Sequence, residues 1–382
     1  LQPSEQAIYA NTMDDITVNA QDLVHLGRLA LAGRSQDIAM MLRRLASRYR
    51  NQSPELAAAL NDLLQEAPTR SAPVRSETIA AVPVDLDSRL DLVRIDPSPH
   101  VDIEPVWGPE VRSALVEIVN ERRSVDLLRS AGLSPSRTAL FSGAPGVGKT
   151  LAARWLAQEL QRPLLILDLS SVISSFLGRT GTNLRHVMDY AKGVRGVLLL
   201  DELDALAKRR DDAQEIGELK RLVTALLQEI DDWPDSGLLL AATNHPDLLD
   251  PAAWRRFDIH VTFPLPDEEQ IGRTIRMFAG EAGSDFPDSF VDALTLILRG
   301  SSFSDIEREV LRARRAAILG GRNLGTELLD LLAPRCTDLD RAEKKTLAEK
   351  LHASKASQRR ISTITGFSRD TLRKYGIGPD DA

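Results

Sequence analysis

The sequence predicts an α/β fold built on a parallel sheet, and two observations carry that prediction. Five short apolar runs, at residues 138–141, 164–167, 197–200, 238–242 and 259–263, alternate with stretches of helical periodicity. Continuous apolar runs are what strands covered on both faces require, whereas one-sided strands alternate. The first run leads directly into a glycine-rich loop and then a helical pattern over residues 151–160, a strand–loop–helix unit. After Pro266 the apolar runs stop, and only helical periodicity continues to about residue 333.

Composition sets the outer bounds. The 382 residues are 43% hydrophobic and 27% charged, ordinary for a folded chain of about two to three domains. Forty-eight Lys and Arg against 55 Asp and Glu give a net charge of −7, which excludes a polycation that binds nucleic acid by bulk charge. The single cysteine, Cys336, excludes an internal disulfide framework and a cysteine-based zinc site, and it suits a reducing, cytoplasmic compartment. No apolar run approaches the ~18 residues of a membrane span, so no membrane association is expected. The first dozen residues include Glu5 and lack an apolar core, so they do not read as a secretory signal.

Taken in order, residues 1–66 read as a small helical domain. Leu23, Leu26, Leu29 and Ala30 recur at helical spacing before a stop at Gly33. Ser35 caps a second helix with Ile38, Met41, Leu42 and Leu45, and Ser53-Pro54 opens a third with Leu56, Leu60, Leu63 and Leu64. Residues 67–105 read as a linker, because seven prolines fall between 67 and 109 without sustained periodicity. A large α/β unit then covers residues 106–265, an all-helical unit 266–334, and a small basic helical segment 335–382.

The loop after the first run is Gly143, Ala144, Pro145, Gly146, Val147, Gly148, Lys149 and Thr150, with Leu151 continuing the helix. This is G-x-x-x-x-G-K-T in the strand–loop–helix context the motif needs. Its glycines let backbone N–H groups wrap phosphates at a helix N-terminus whose dipole favours anions. Lys149 is placed for the β- and γ-phosphates, and the Thr150 hydroxyl is a ligand for Mg²⁺. The run at 197–200 delivers Asp201 and Glu202 at its C-terminal end, where α/β sheets bind ligands. Asp201 would hold Mg²⁺, directly or through water, and Glu202 would act as the general base that polarises an attacking water. Both acids together favour hydrolysis of ATP over mere binding.

From residue 106 to 333 these motifs resemble the AAA+ ATPases, P-loop NTPases with a parallel-sheet large subdomain and a helical lid. Ala241-Ala242-Thr243-Asn244-His245-Pro246-Asp247 is similar to the family's sensor-1 strand, which implies that Asn244 contacts the lytic water or γ-phosphate. Residues 249–258, with Arg255 and Arg256, resemble the region that carries arginine fingers. By that resemblance the pair acts in trans, on a neighbouring subunit's ATP, within a homo-oligomeric ring that is commonly a hexamer. Many members insert Pro-Gly between the two arginines; the adjacent pair here is similar to the katanin/spastin (meiotic) group, which also carries a small helical N-terminal domain. Residues 300–306 resemble lids that lack a sensor-2 arginine, and none is assigned. Phe176, Leu177 and Gly178 are similar to pore loop 1, which implies an apolar grip on a polypeptide in the ring's central channel. Residues 208–221 resemble pore loop 2, though their mixed charges also suit a solvated face.

The function so implied is ATP-driven remodelling or unfolding of a protein substrate. No H-E-x-x-H motif occurs, so any proteolysis belongs to a separate chain. The rival expectation is a regulator that assembles on DNA. Residues 355–374 hold six Lys and Arg against one Asp, and residues 357–375 look like a helix-turn-helix. In it, Ser357 and Ser368 act as caps, Gly366 as the turn, and Ile361, Ile364 and Leu372 face inward. Arg369, Arg373 and Lys374 would then meet phosphates or base edges. A helical packing or partner module explains the same pattern equally well.

Overall fold

A computed structural model describes residues 41–42, 44–46, 48, 93–170, 180–205 and 213–378. The chain divides into two compact units, Leu1–Thr78 and Ile79–Ala382. In the first unit the described residues are helical, with Leu45 and Ala46 buried. The remaining expectations for residues 1–66, and those for 67–92, lie outside the described residues.

The second unit contains the expected sheet. Its strands are β1 (Arg94–Asp96), β2 (Thr138–Gly143), β3 (Leu164–Asp168), β4 (Val197–Asp201), β5 (Leu238–Thr243) and β6 (Ile259–Phe263). They lie in the order β1-β3-β4-β5-β2-β6, all parallel except β1, which pairs antiparallel with β3. Helices α1 (Pro109–Arg123), α2 (Lys149–Glu159), α3 (Thr180–Val194) and α4 (Ala213–Asp231) cover it. The strand period of two divides the apolar runs of β2 to β5 between two cores. Leu140, Leu165, Leu167, Leu198, Leu200, Leu239 and Ala241 pack with Leu184, Met188, Leu226 and Trp233 on the α3/α4 side. Their neighbours Ala139, Phe141, Leu164, Ile166, Val197, Leu199, Leu238 and Leu240 pack with Leu115, Ile118, Ala153 and Leu156 of α1 and α2. Both faces of β2 to β5 are therefore dry, which is why these strands carry no polar alternation; β6, at the sheet edge, departs from the expected continuous run, with Val261 and Phe263 buried and His260 and Thr262 exposed.

β1 falls in the stretch whose prolines suggest a linker. It is only Arg-Ile-Asp, too short to show a period. Its strand conformation comes from pairing Arg94–Asp96 against residues 164–166, with Val93 buried beside it.

After β6 the chain is helical: α5 (Glu268–Ala279), α6 (Asp288–Leu298), α7 (Phe303–Gly320) and α8 (Leu324–Leu332). Asp267 with Gln270 and Ser302 with Asp305 form reciprocal capping boxes that set where α5 and α7 begin. The basic segment adds α9 (Arg341–Ala353), α10 (Gln358–Thr365) and α11 (Arg369–Lys374). Ser357 and Ser368 accept from the Arg360 and Thr371 N–H groups, and Gly366 turns the chain at φ +73°. Leu347, Leu351, Ile361, Ile364, Leu372 and Ile377 join the same core as Ile275, Leu294, Val310 and Leu328. Residues 341–377 thus share one core with the four helices before them instead of folding apart. Cys336 lies in that core, where burial pushes its thiol up to about 11 and leaves it protonated and inert.

Candidate nucleotide site

The C-terminal ends of β4, β5 and β2 lie side by side, because Leu200 pairs with Ala241 and Ser142 with Thr243. This alignment brings Asp201-Glu202, Thr243-Asn244 and the glycine loop to one edge of the sheet, where the strand order turns back on itself. The loop's backbone is tight. Gly148, at φ +98°, starts α2, and a Cβ there would meet Trp107 Nε1 at 3.2 Å. At Gly146, φ +78°, a Cβ would lie 2.5 Å from Ser302 Oγ, while the Gly146 carbonyl accepts from Ser304 N at 3.1 Å. The start of α7 therefore closes directly on the loop.

Lys149 Nζ is held by three acceptors: the carbonyls of Gly143 at 2.7 Å and Ala144 at 2.9 Å, and Asn244 Oδ1 at 2.7 Å. Burial pulls its ammonium below the ordinary lysine range, against the attraction of Asp201 and Asp204. A buried cation at the mouth of a glycine loop is suited to pairing with a phosphate. Thr150 Oγ1 donates to Asp201 Oδ2 at 3.2 Å, and Asp201 Oδ1 accepts from Glu202 N at 3.0 Å. That bond holds Glu202 in a left-handed conformation, φ +56°, which costs on the order of 1–3 kcal/mol for a residue with a side chain. The exposed carboxylate stands over the cleft.

Asp204 is the residue that sequence reasoning missed. Only 2% exposed, it accepts from Thr243 Oγ1 and from Asn244 N, both at 3.1 Å. A continuous path therefore runs from Asp204 through Asn244 to Lys149. With Oδ1 taken by the lysine, what Asn244 has to offer a ligand is its amide N–H. In the sequence Asp204 looks like one more acid after a strand, and only its burial reveals the role.

The cleft measures about 560 Å³ and is lined by Pro145 to Leu151, Asp201, Glu202 and Asn244. Residues 100–107 form a second wall, and Thr274, Met277, Phe278 and Phe303 of the helical unit form a third. The wall at 100–107 is pinned to α2 by Val101 N donating to Gln158 Oε1 at 2.7 Å and by the edge contact of Trp107 with Trp155 at 5.6 Å. Proline content hides this wall in the sequence, although Ile103, Val106 and Trp107 are apolar residues a free linker does not need.

Arg255 and Arg256 are not in this cleft. They follow a short helix, Pro251–Trp254, whose cap is Asp250. The Arg256 carbonyl accepts from Thr138 Oγ1 at 3.2 Å, at the start of β2. That end is about 16 Å along the strand from the glycine loop, at ~3.3 Å per residue. The Arg256 guanidinium pairs with Asp231. Arg255 is exposed and has no ion-pair partner among the described residues. Phe176, Leu177 and Gly178 lie outside the described residues, as do residues 208–212 of the segment 208–221.

A glycine loop at a helix start, a lysine and threonine behind it, and paired acids on the neighbouring strand define a P-loop nucleotide-binding protein. Residues 139–265 match the family described as "ATPase family associated with various cellular activities (AAA)". The chain is 36% identical over 299 residues to the uncharacterized AAA family ATPase y4kL of Sinorhizobium fredii, covering 77% of this chain and 88% of that one. It belongs to the AAA family and is an ATP hydrolase of that class. It is also 30% identical to a proteasome-activating nucleotidase of Methanopyrus kandleri over 65% of this chain, and 31% identical to the ATP-dependent zinc metalloprotease FtsH 3 of Sphaerobacter thermophilus over 76%. The chain spans 59% and 57% of the length of those two relatives. The crystal structure of the FIGL-1 AAA domain shares the fold at a TM-score of 0.54 and 19% identity, over 68% of this chain and 92% of that one. No described helix is long and apolar enough to cross a membrane.

Proposed function

We propose that the chain works as a homo-oligomeric, hexameric ring that couples ATP hydrolysis to remodelling or unfolding a protein substrate through a central pore. The observation that carries this reading is the division of the charged groups. One set surrounds the chain's own cleft, and an exposed Arg255, without an ion-pair partner among the described residues, lies a strand length away. Two of the relatives bear names tied to protein degradation, which favours a polypeptide as the substrate.

In the cleft, the glycine loop and Lys149 hold the phosphates, and the apolar walls around Trp107, Met277 and Phe278 accept the base. Thr150 and Asp201 are hard oxygen donors within 3.2 Å of one another, a fit for Mg²⁺ completed by phosphate and water. When bound, that ion neutralises charge developing on the phosphates. Glu202 takes the proton of the attacking water, and the Asn244 amide orients that water or the γ-phosphate. Arg255 of the next copy stabilises the transferring phosphoryl group, with Arg256 beside it. Phe176 and Leu177 grip the polypeptide, and Gly178 lets their loop turn. The N-terminal helices recruit the substrate, a separate protease chain is a compatible partner, and the setting is cytoplasmic.

A second reading rests on residues 355–375. Arg359, Arg369, Arg373 and Lys374 are exposed on α10 and α11, on either side of the Gly366 turn, so this face suits DNA or an acidic protein partner. The deciding experiment is a substrate-trap pull-down with Glu202→Gln protein and ATP, with and without Phe176→Ala. Polypeptides retained only when Phe176 is intact support threading. Nucleic acid retained regardless of Phe176, and lost on removing residues 335–382, favours the second reading.

A further inference from the structure

We propose that Thr138 and His260 are positioning residues for Arg255, fixing the turn from which it reaches a neighbouring copy's nucleotide. The inference rests on the reading above that Arg255 acts in trans. The turn is held from both sides. On one side Thr138, 1% exposed, donates from Oγ1 to the Arg256 carbonyl at 3.2 Å and accepts there from Asp258 N at 3.0 Å. Asp258 returns the contact, its Oδ2 accepting from Arg137 N at 2.7 Å and Thr138 N at 3.1 Å. On the other side His260 Nε2 lies 2.9 Å from the Trp254 carbonyl, and its ring packs edge-on against Trp254 at 5.2 Å.

The carbonyls before and after Arg255 are thus both tied down, and the Arg256 side chain is tied to Asp231. In this turn Arg255 is left exposed and, among the described residues, without an ion-pair partner. The pairing of β2 with β6 begins only at Ala139 and Ile259, so the bonds at Thr138 and Asp258 lie beyond the ladder. A hydroxyl that both donates and accepts is what the place requires. Serine keeps both bonds and valine, of the same shape as threonine, loses both. Because displacing a catalytic group by about 1 Å costs up to 10²-fold in rate, slackening this turn should lower kcat while leaving ATP binding alone.

The test uses the full chain and mixtures of variants. Thr138→Val should lower kcat by about tenfold with KM for ATP within about twofold, and His260→Ala should do so by less; Thr138→Ser should turn over normally. Each variant is then assembled with an excess of Glu202→Gln chains, which hydrolyse nothing themselves but carry an intact arginine turn. Turnover per variant chain should rise toward wild type, because each defective chain now has a sound neighbour. Arg255→Ala in the same mixture checks the premise. If Arg255→Ala is not rescued, Arg255 does not act in trans and the inference falls with it. If Arg255→Ala is rescued while Thr138→Val and His260→Ala keep their deficits, or show none alone, the two residues serve only their own chain's fold and the inference is overturned. His260 is exposed, so its variant decides the matter if Thr138→Val fails to assemble.

Discussion

The two ends of β2 meet opposite demands. At Gly143 the strand opens into a loop whose lysine is satisfied three times over within the chain, by Gly143, Ala144 and Asn244. At Thr138 it anchors a turn whose backbone is fixed but whose Arg255 projects from the surface. Burial explains the contrast. A buried ammonium without acceptors is costly, and the cleft supplies them. An exposed guanidinium bears no such penalty and stays available to a charge from outside the chain. On the proposed reading, one end of the strand builds half an active site and the other holds out an arginine for a neighbouring copy.

Five substitutions test the comparison and the fold that carries it. The largest effect is expected from Arg255→Ala, which should lower kcat by about 10³-fold or more with little change in ATP affinity. Arg256→Ala should cost only about fivefold, the worth of a half-exposed ion pair. Equal losses at the two positions would erase the distinction drawn between them. Lys149→Ala should weaken nucleotide binding by about a hundredfold, read by titration with a fluorescent ATP analogue, since it removes a charged donor and strands two carbonyls. Asp204→Asn keeps an acceptor but not the charge, so a kcat about five to ten times lower at unchanged ATP affinity is expected. Wild-type turnover in that variant would leave Asp204 as packing alone. The least effect on turnover should come from Leu372→Ala. It removes a fully buried side chain from the core that α11 shares with the helices of residues 268–332, so it should destabilise that unit by about 2–5 kcal/mol in denaturant titrations. An unchanged unfolding midpoint would mean that the terminal helices are not part of that core.

Much of this was legible in the residues. Four of the five apolar runs lie on β2 to β5 because a strand buried on both faces has no polar positions to blur it, whereas β6 at the edge alternates, with His260 and Thr262 exposed. The glycine loop, Asp201, Glu202 and Asn244 meet at one edge because parallel strands end together. What escaped sequence reasoning depended on partners rather than on pattern. β1 exists only through β3, and the wall at 100–107 only through α2 and Trp155. Asp204 is distinguished from other acids solely by what surrounds it. The amphipathic pattern of residues 341–377 shows that one face is covered, but not that its cover is the core of the preceding helices. Thr138 looks like the first residue of a strand, and its hydroxyl matters only once Arg256 and Asp258 lie against it.

The most direct test of the divided site is ATP turnover by Arg255→Ala and Glu202→Gln chains, each alone and in equal mixture. Each should be nearly inactive by itself. In the mixture, Arg255→Ala chains keep their base and borrow an arginine from Glu202→Gln neighbours, so activity should reappear as mixed rings form. A mixture no more active than its parts would contradict the account and return Arg255 to the surface of its own chain.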